Sequence, residues 1–263
     1  MSPLLGTPYT GHPQPWAALR LPWANLFWPF GPHRIASHED QLERGRNSSP
    51  WATDPNFAPT ACRFVEDLLL MREHIAASLA EAAKLIEWLR SPACEASIAR
   101  VAESLLRALE AGGHILSCGN GGSMCDAMHF AEELSARYRK DRPALAAMAI
   151  SDPSHLTCVA NDYGFDQVFA RGVDAWGRAG DVLLALSTSG NSPNVIAAAH
   201  AARARQMQII GLLGRDGGAL LPLCDLAIVV PAETSDRIQE VHIKVIHIVI
   251  ELIERAMFPR NYV

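Results

Sequence analysis

The chain contains no CxxC pair, no stretch near the ~18 uninterrupted apolar residues of a membrane span, and no excess of positive charge. Its 23 Lys and Arg stand against 28 Asp and Glu, giving a formal net charge of -5 and a sequence pI near 6.0. Nucleic acid and anionic membrane both call for concentrated Lys and Arg, so neither is expected as a partner. The six cysteines, Cys62, Cys94, Cys118, Cys125, Cys158 and Cys224, are scattered, several of them in apolar runs. They read as reduced, buried thiols of a cytoplasmic protein. Prolines and charges interrupt the N-terminus, which lacks the basic and then cleanly apolar regions of a signal peptide.

What is present divides unevenly. The first seventy residues hold ten of the 17 prolines and four of the six tryptophans, with no hydrophobic period to organise them. An irregular extension is expected over 1–70. Two readings of it compete: Trp16, Trp23 and Trp28 dock on a partner, or Met71 is the biological start. The second is favoured because regular amphipathic spacing sets in abruptly at Met71. Residues 72–90 place Ile75, Leu79, Ala82, Ala83, Ile86 and Leu89 on one helical face, and a second helix is expected from Glu95 to Glu110, ended by Gly112 and Gly113. Short apolar runs then alternate with helical segments, at 114–118, 145–150, 182–186, 209–213 and 226–230. This pattern predicts an α/β domain over 71–263, a five-stranded parallel sheet flanked by helices in the flavodoxin-like manner, behind two packing helices. The last helix, from Ser235 to Phe258, is apolar on more than one face. Burial in an oligomer interface is the simplest way to cover it.

Two loops follow strands and precede helices, where an open α/β sheet binds ligands. The first is Gly119-Asn120-Gly121-Gly122-Ser123. The second, Ser187-Thr188-Ser189-Gly190-Asn191-Ser192, leads into a helix with Ser192 as N-cap and Pro193 at the first helical position. Free N–H groups at a helix start and a row of hydroxyls suit a phosphate monoester. Neither loop has the spacing of a P-loop or a dinucleotide fingerprint. Beyond the first loop, His129 and Glu133 lie four positions apart and share a helix face that could bind a metal. Gln239, Glu240, His242 and His247 sit among apolar residues of the final helix, where a lone histidine is more often a satisfied core residue.

Taken together, GNGGSMCDAMHFAEEL, AISDPSHLTCVANDYGFDQVF, STSGNS and DRIQEVHIKVIHIVIELIE closely resemble the phosphoheptose isomerases of the sugar isomerase (SIS) domain group. The resemblance runs from Met71 to about Glu254. It implies a SIS fold and conversion of sedoheptulose 7-phosphate to D-glycero-D-manno-heptose 7-phosphate, the entry to ADP-heptose for lipopolysaccharide. It also implies one zinc ion per site held by His129, Glu133, Gln239 and His247, with Glu133 and His247 as catalytic base and acid. Substrate contacts fall on Asn120, Gly121, Gly122, Ser123, Ser187, Thr188, Ser189 and Ser192 around the phosphate, and on Asn161, Asp162, Asp236 and Gln239 near the sugar. Met124 stands where relatives often carry His.

Ketose-to-aldose conversion needs a base beside the carbonyl and an acid to move protons between two oxygens, which a carboxylate and an imidazole can supply. Gln239 and His247 are eight residues apart, or about 12 Å along one continuous helix at ~1.5 Å per residue. Either Gln239 precedes the helix proper, or the site draws ligands from two subunits of a homo-oligomer, expected to be a tetramer. The second arrangement would set Glu133 of one chain against His247 of another. The rival reading is a non-catalytic SIS-domain regulator resembling the DnaA-binding tetramers, whose Phe-Pro tail is echoed by Phe258-Pro259. The presence of His129, Glu133 and His247 favours the enzyme. A phosphosugar-sensing regulator would bring a DNA-binding domain, and residues 1–70 show no helix-turn-helix pattern.

Overall fold

In the computed structural model the described residues are 60–263, so the expectations for Trp16, Trp23 and Trp28 lie outside them. Two helices lead, α1 (Thr60–Leu89) and α2 (Pro92–Glu110). The break between them is chemically specified. Ser91 takes an extended conformation and its hydroxyl accepts from the Cys94 N–H, while Pro92 begins the next helix without an amide to leave unpaired. α1 starts well ahead of Met71. Residues 60–70 carry no Pro or Gly to stop a helix, and the sequence reading missed them because it followed periodicity alone.

The core is a sheet of five parallel strands in the order β2-β1-β3-β4-β5: β1 (Ile115–Cys118), β2 (Ala147–Ala149), β3 (Val182–Ser187), β4 (Gln208–Gly214) and β5 (Leu226–Val230). Every residue of β1 and β3 is buried, as continuous apolar runs covered on both faces require. Alternate side chains feed two cores. Ile115, Val182, Leu184, Ile210 and Leu212 point into one, and Leu116, Cys118, Leu183, Ala185, Ile209 and Leu213 into the other. The first core is closed by α2, by α3 (Gly122–Ser135) through Ala127, Phe130 and Leu134, and by α7 (Ser235–Met257). The second is closed by α4 (Pro153–Tyr163), α5 (Val168–Trp176) and α6 (Pro193–Ala204).

Two expectations are corrected here. The many-sided apolar surface of α7 is covered largely within the chain, since Ile238, Val241, Val245, Ile246, Val249, Ile250 and Ile253 are all buried against α2, α3 and the sheet. Nor are all the cysteines buried: Cys125 and Cys158 are exposed, because they fall on the outer faces of α3 and α4 rather than in strands. Cys94 and Cys118 are buried as expected, and burial pushes the Cys118 thiol up to about 12. Among the described residues no helix is long and apolar enough to cross a membrane.

Candidate active site

β1 and β3 are neighbours, yet the helices that follow them leave on opposite faces, α3 towards the first core and α6 towards the second. The sheet order reverses between them, and the crevice that opens at such a switch point is where α/β sheets take ligands. Both hydroxyl and glycine loops meet there. Gly121 starts α3 at φ 54°, a conformation open to glycine. Asn120 of the first loop and Asn194 of α6 exchange two amide hydrogen bonds, at 2.8 and 2.9 Å, and so tie the loops together. Asn194 is buried and was not singled out from sequence; its position two residues after the Ser192 cap was the available signal. In the second loop the Ser187 and Ser192 hydroxyls lie 3.1 Å apart, and Thr188 meets Ser235 at the start of α7 at the same distance. Ser189 Oγ accepts from the Asn191 N–H. Ser192 makes no side-chain cap and turns to Ser187 instead. Ser123 is buried in the first turn of α3.

Two turns further along α3, His129 and Glu133 face His247 of α7. His129 Nε2 lies 2.9 Å from His247 Nε2 and 3.4 Å from Glu133 Oε1. One ligand atom from each of the three residues falls within 4.8 Å of the others. Two imidazole nitrogens turned towards one another beside a carboxylate oxygen form a donor set that suits a tetrahedral dication such as zinc. Burial raises the Glu133 pKa, and the neighbouring Glu132 adds to this against the opposing pull of His129. Burial lowers that of His247, helped by His129 and Lys244. Asp126, one turn before His129, has a buried oxygen with no partner and is pushed up to about 6 by burial, with His129 pulling the other way.

The model of the SIS domain matches residues 78–214. The chain is 54% identical to the phosphoheptose isomerase of Edwardsiella ictaluri over 72% of its own length and 98% of the relative's. It is 56% identical to that of Fusobacterium nucleatum over 62% of this chain and 84% of the relative. The solved phosphoheptose isomerase of Neisseria gonorrhoeae superposes with a TM-score of 0.66 at 44% identity, covering 70% of this chain and 98% of that one. The chain belongs to the SIS-domain phosphoheptose isomerases.

Within this sugar-phosphate isomerase, the trio comes together in a single chain, which corrects the expectation that Glu133 and His247 face one another across subunits. The reason is the parallel course of α3 and α7: seven residues separate Gly122 from His129, eight separate Gln239 from His247, and the two pairs meet in step. Gln239 lies inside α7 and not before it, so that alternative is excluded. Its amide covers Gly122, where an added Cβ would come within 2.5 Å of Gln239 Oε1. Helical rise therefore separates Gln239 from His247 of its own chain by about 12 Å along the α7 axis. Asp236 opens α7, its carboxyl held below the usual range by the Thr234 hydroxyl and the Arg237 N–H. Asn161 and Asp162 sit exposed near the end of α4 and hydrogen-bond to each other at 2.8 Å. Met124 packs against the second core. His242 is a core histidine that is satisfied on one side only, with Nε2 on the Leu213 carbonyl at 3.0 Å and Nδ1 buried without a partner.

Proposed function

We propose that this isomerase interconverts sedoheptulose 7-phosphate and D-glycero-D-manno-heptose 7-phosphate through an enediol. The observation that carries the reading is the meeting of Glu133 and His247 in one chain, with their pKa values displaced in opposite directions, on the two helices that flank the phosphate loops. The Ser123, Ser187, Thr188, Ser189 and Ser192 hydroxyls and the first amides of α3 and α6 hold the phosphate. Glu133 takes a proton from C1 of the ketose. The carbonyl oxygen at C2 receives a proton from His247, giving the enediol; return of a proton to C2 and loss of one from the C1 hydroxyl complete the aldose. Asn161, Asp162 and Asp236 are assigned to the sugar hydroxyls. His129, Glu133 and His247 would hold zinc, with Gln239 supplied by a neighbouring copy as the fourth ligand. Bound there, the ion would polarise the substrate oxygens and lower the Glu133 pKa against the effect of burial.

A homotetramer in the cytoplasm, feeding ADP-heptose and lipopolysaccharide synthesis, completes the reading, with 71–263 as the isomerase domain and 1–70 as an extension whose last residues, from Thr60, belong to α1. Support for self-association comes from exposed apolar residues along α1, including Leu68, Met71, Ile75 and Leu79. The test is turnover of sedoheptulose 7-phosphate by the purified chain, followed with and without a chelator. Turnover that falls on chelation and returns with Zn²⁺ is expected; metal-loaded protein that leaves the substrate unchanged would overturn the proposal.

A further inference from the structure

The helix that presents His129 and Glu133 ends without the usual devices. No basic residue lies in the last turn of α3, and Ala136 at its C-cap has φ -98° and ψ -96° in place of a left-handed glycine. The charge that completes this end comes from Arg142, in the loop before β2. Its NH2 donates to the Glu133 carbonyl at 2.6 Å, and its NH1 donates to the carbonyls of Leu134 at 2.6 Å and Ala136 at 3.3 Å. Its Nε donates to Glu254 Oε1 at 2.7 Å, and the pair is almost wholly removed from solvent, with side-chain exposures of 1% and 0%. Glu254 belongs to α7, two turns beyond His247. The second oxygen of Glu254 accepts from the Tyr262 hydroxyl at 2.8 Å, and Phe258 lies under the guanidinium.

One planar guanidinium thus grips the backbone of Glu133 itself and, through a carboxylate, the helix that carries His247. A buried ion pair of this kind contributes little net stability compared with an apolar pair of the same size, so its presence asks for another reason. We propose that Arg142, held by Glu254 and Tyr262, is a positioning residue that sets Glu133 and His129 against His247 by fixing the end of α3 to α7. The proposal rests on the isomerase reading for its effect on turnover and on geometry alone for the clamp.

The experiment separates positioning from simple stability. Single removal of either charge leaves the other buried alone and is expected to destabilise the fold, so the informative variants are the doubly apolar Arg142→Met/Glu254→Leu and the conservative Arg142→Lys. The double variant leaves no lone buried charge, so although the α3 carbonyls and the Tyr262 hydroxyl lose their partners, it is expected to melt below wild type but above either single charge removal and to stay folded at the assay temperature. Lysine keeps the charge and the pair but cannot fork to several carbonyls. In both, kcat for sedoheptulose 7-phosphate is expected to fall at least tenfold with KM within twofold of wild type, because the phosphate loops are not part of the clamp. Hydrogen exchange of residues 129–136, which does not depend on what the chain catalyses, should quicken at least tenfold in both. A well-folded double variant with wild-type kcat, a loss confined to KM, or unchanged exchange over 129–136 would overturn the clamp. Quickened exchange in a protein whose wild type shows no turnover would instead support the clamp and overturn the isomerase reading.

Discussion

His242 shows how one buried side chain fixes a pH response. Burial lowers its pKa from 6.5 to about 4, with the Leu213 carbonyl opposing the shift, and its Nδ1 is buried without a partner. The unfolded chain therefore takes up a proton near pH 6.5 while the folded chain does not until about pH 4. Stability from this group is fully present above 6.5 and is lost as pH falls towards 4, by about 3 kcal/mol from the shift at ~1.4 kcal/mol per unit. His242→Gln keeps a donor for Leu213 without the titration, so urea midpoints measured from pH 7 to 4.5 should fall less steeply than in wild type. Parallel curves would place the acid sensitivity elsewhere. The loop hydroxyls act at the same scale. Ser189 accepts one internal N–H and keeps its own proton free for an anion. A charged hydrogen bond is typically worth about 1.5–3 kcal/mol, so Ser189→Ala should raise KM roughly tenfold to a hundredfold, and unchanged kinetics would remove the hydroxyl from the phosphate site.

Elements differ in how much of them the sequence displays. The strands were legible because buried parallel strands are unbroken apolar runs, and the two loops because Gly121 and the Ser192-Pro193 cap are local chemistry. The start of α1 was not, since residues 60–70 have helical composition without the spacing that marked Met71 onward. Nor were Asn194 and the Arg142–Glu254 pair, whose partners lie 74 and 112 residues away in sequence. Metal geometry was half legible: the i, i+4 spacing of His129 and Glu133 marked a shared face, but only the parallel packing of α3 and α7 brings His247 to it. The second loop owes its shape to a contact no motif announces. Gly190 has φ 63°, and a Cβ there would lie 1.9 Å from the Gly217 carbonyl oxygen. Leu220 N–H also donates to the Gly190 carbonyl, and Ala219 N–H to Asn191 Oδ1, so the loop is docked on the turn after β4. Gly190→Ala should separate the two, raising KM for the phosphorylated sugar together with a lower melting temperature; a variant with wild-type KM would show that this docking does not shape the phosphate site.

At the scale of the whole molecule the question is which parts of a site one chain can complete. Glu133, His129 and His247 converge within a chain, while Gln239 of that chain is occupied over Gly122. A groove of about 300 Å³ between the end of α1, the start of α2 and α7 is lined by Ile86, Leu89, Ile98, Ile248 and Leu252, with Arg90, Glu95 and Lys244 also on its walls. If a neighbour supplies Gln239, subunit mixing discriminates between residue pairs. Chains bearing Glu133→Gln and chains bearing His247→Ala are each expected to lose a hundredfold or more in kcat. Unfolded together and refolded, they should recover nothing, because no mixed oligomer contains a chain with both groups intact. Chains bearing Gln239→Ala mixed with Glu133→Gln chains should behave differently. Random assortment places an intact Glu133 and His247 opposite a neighbour's intact Gln239 in roughly a quarter of the sites, and activity should rise towards that fraction. Recovery in the first mixture would contradict the single-chain trio, and none in the second, with wild-type chains refolding fully, would return Gln239 to a role inside its own subunit.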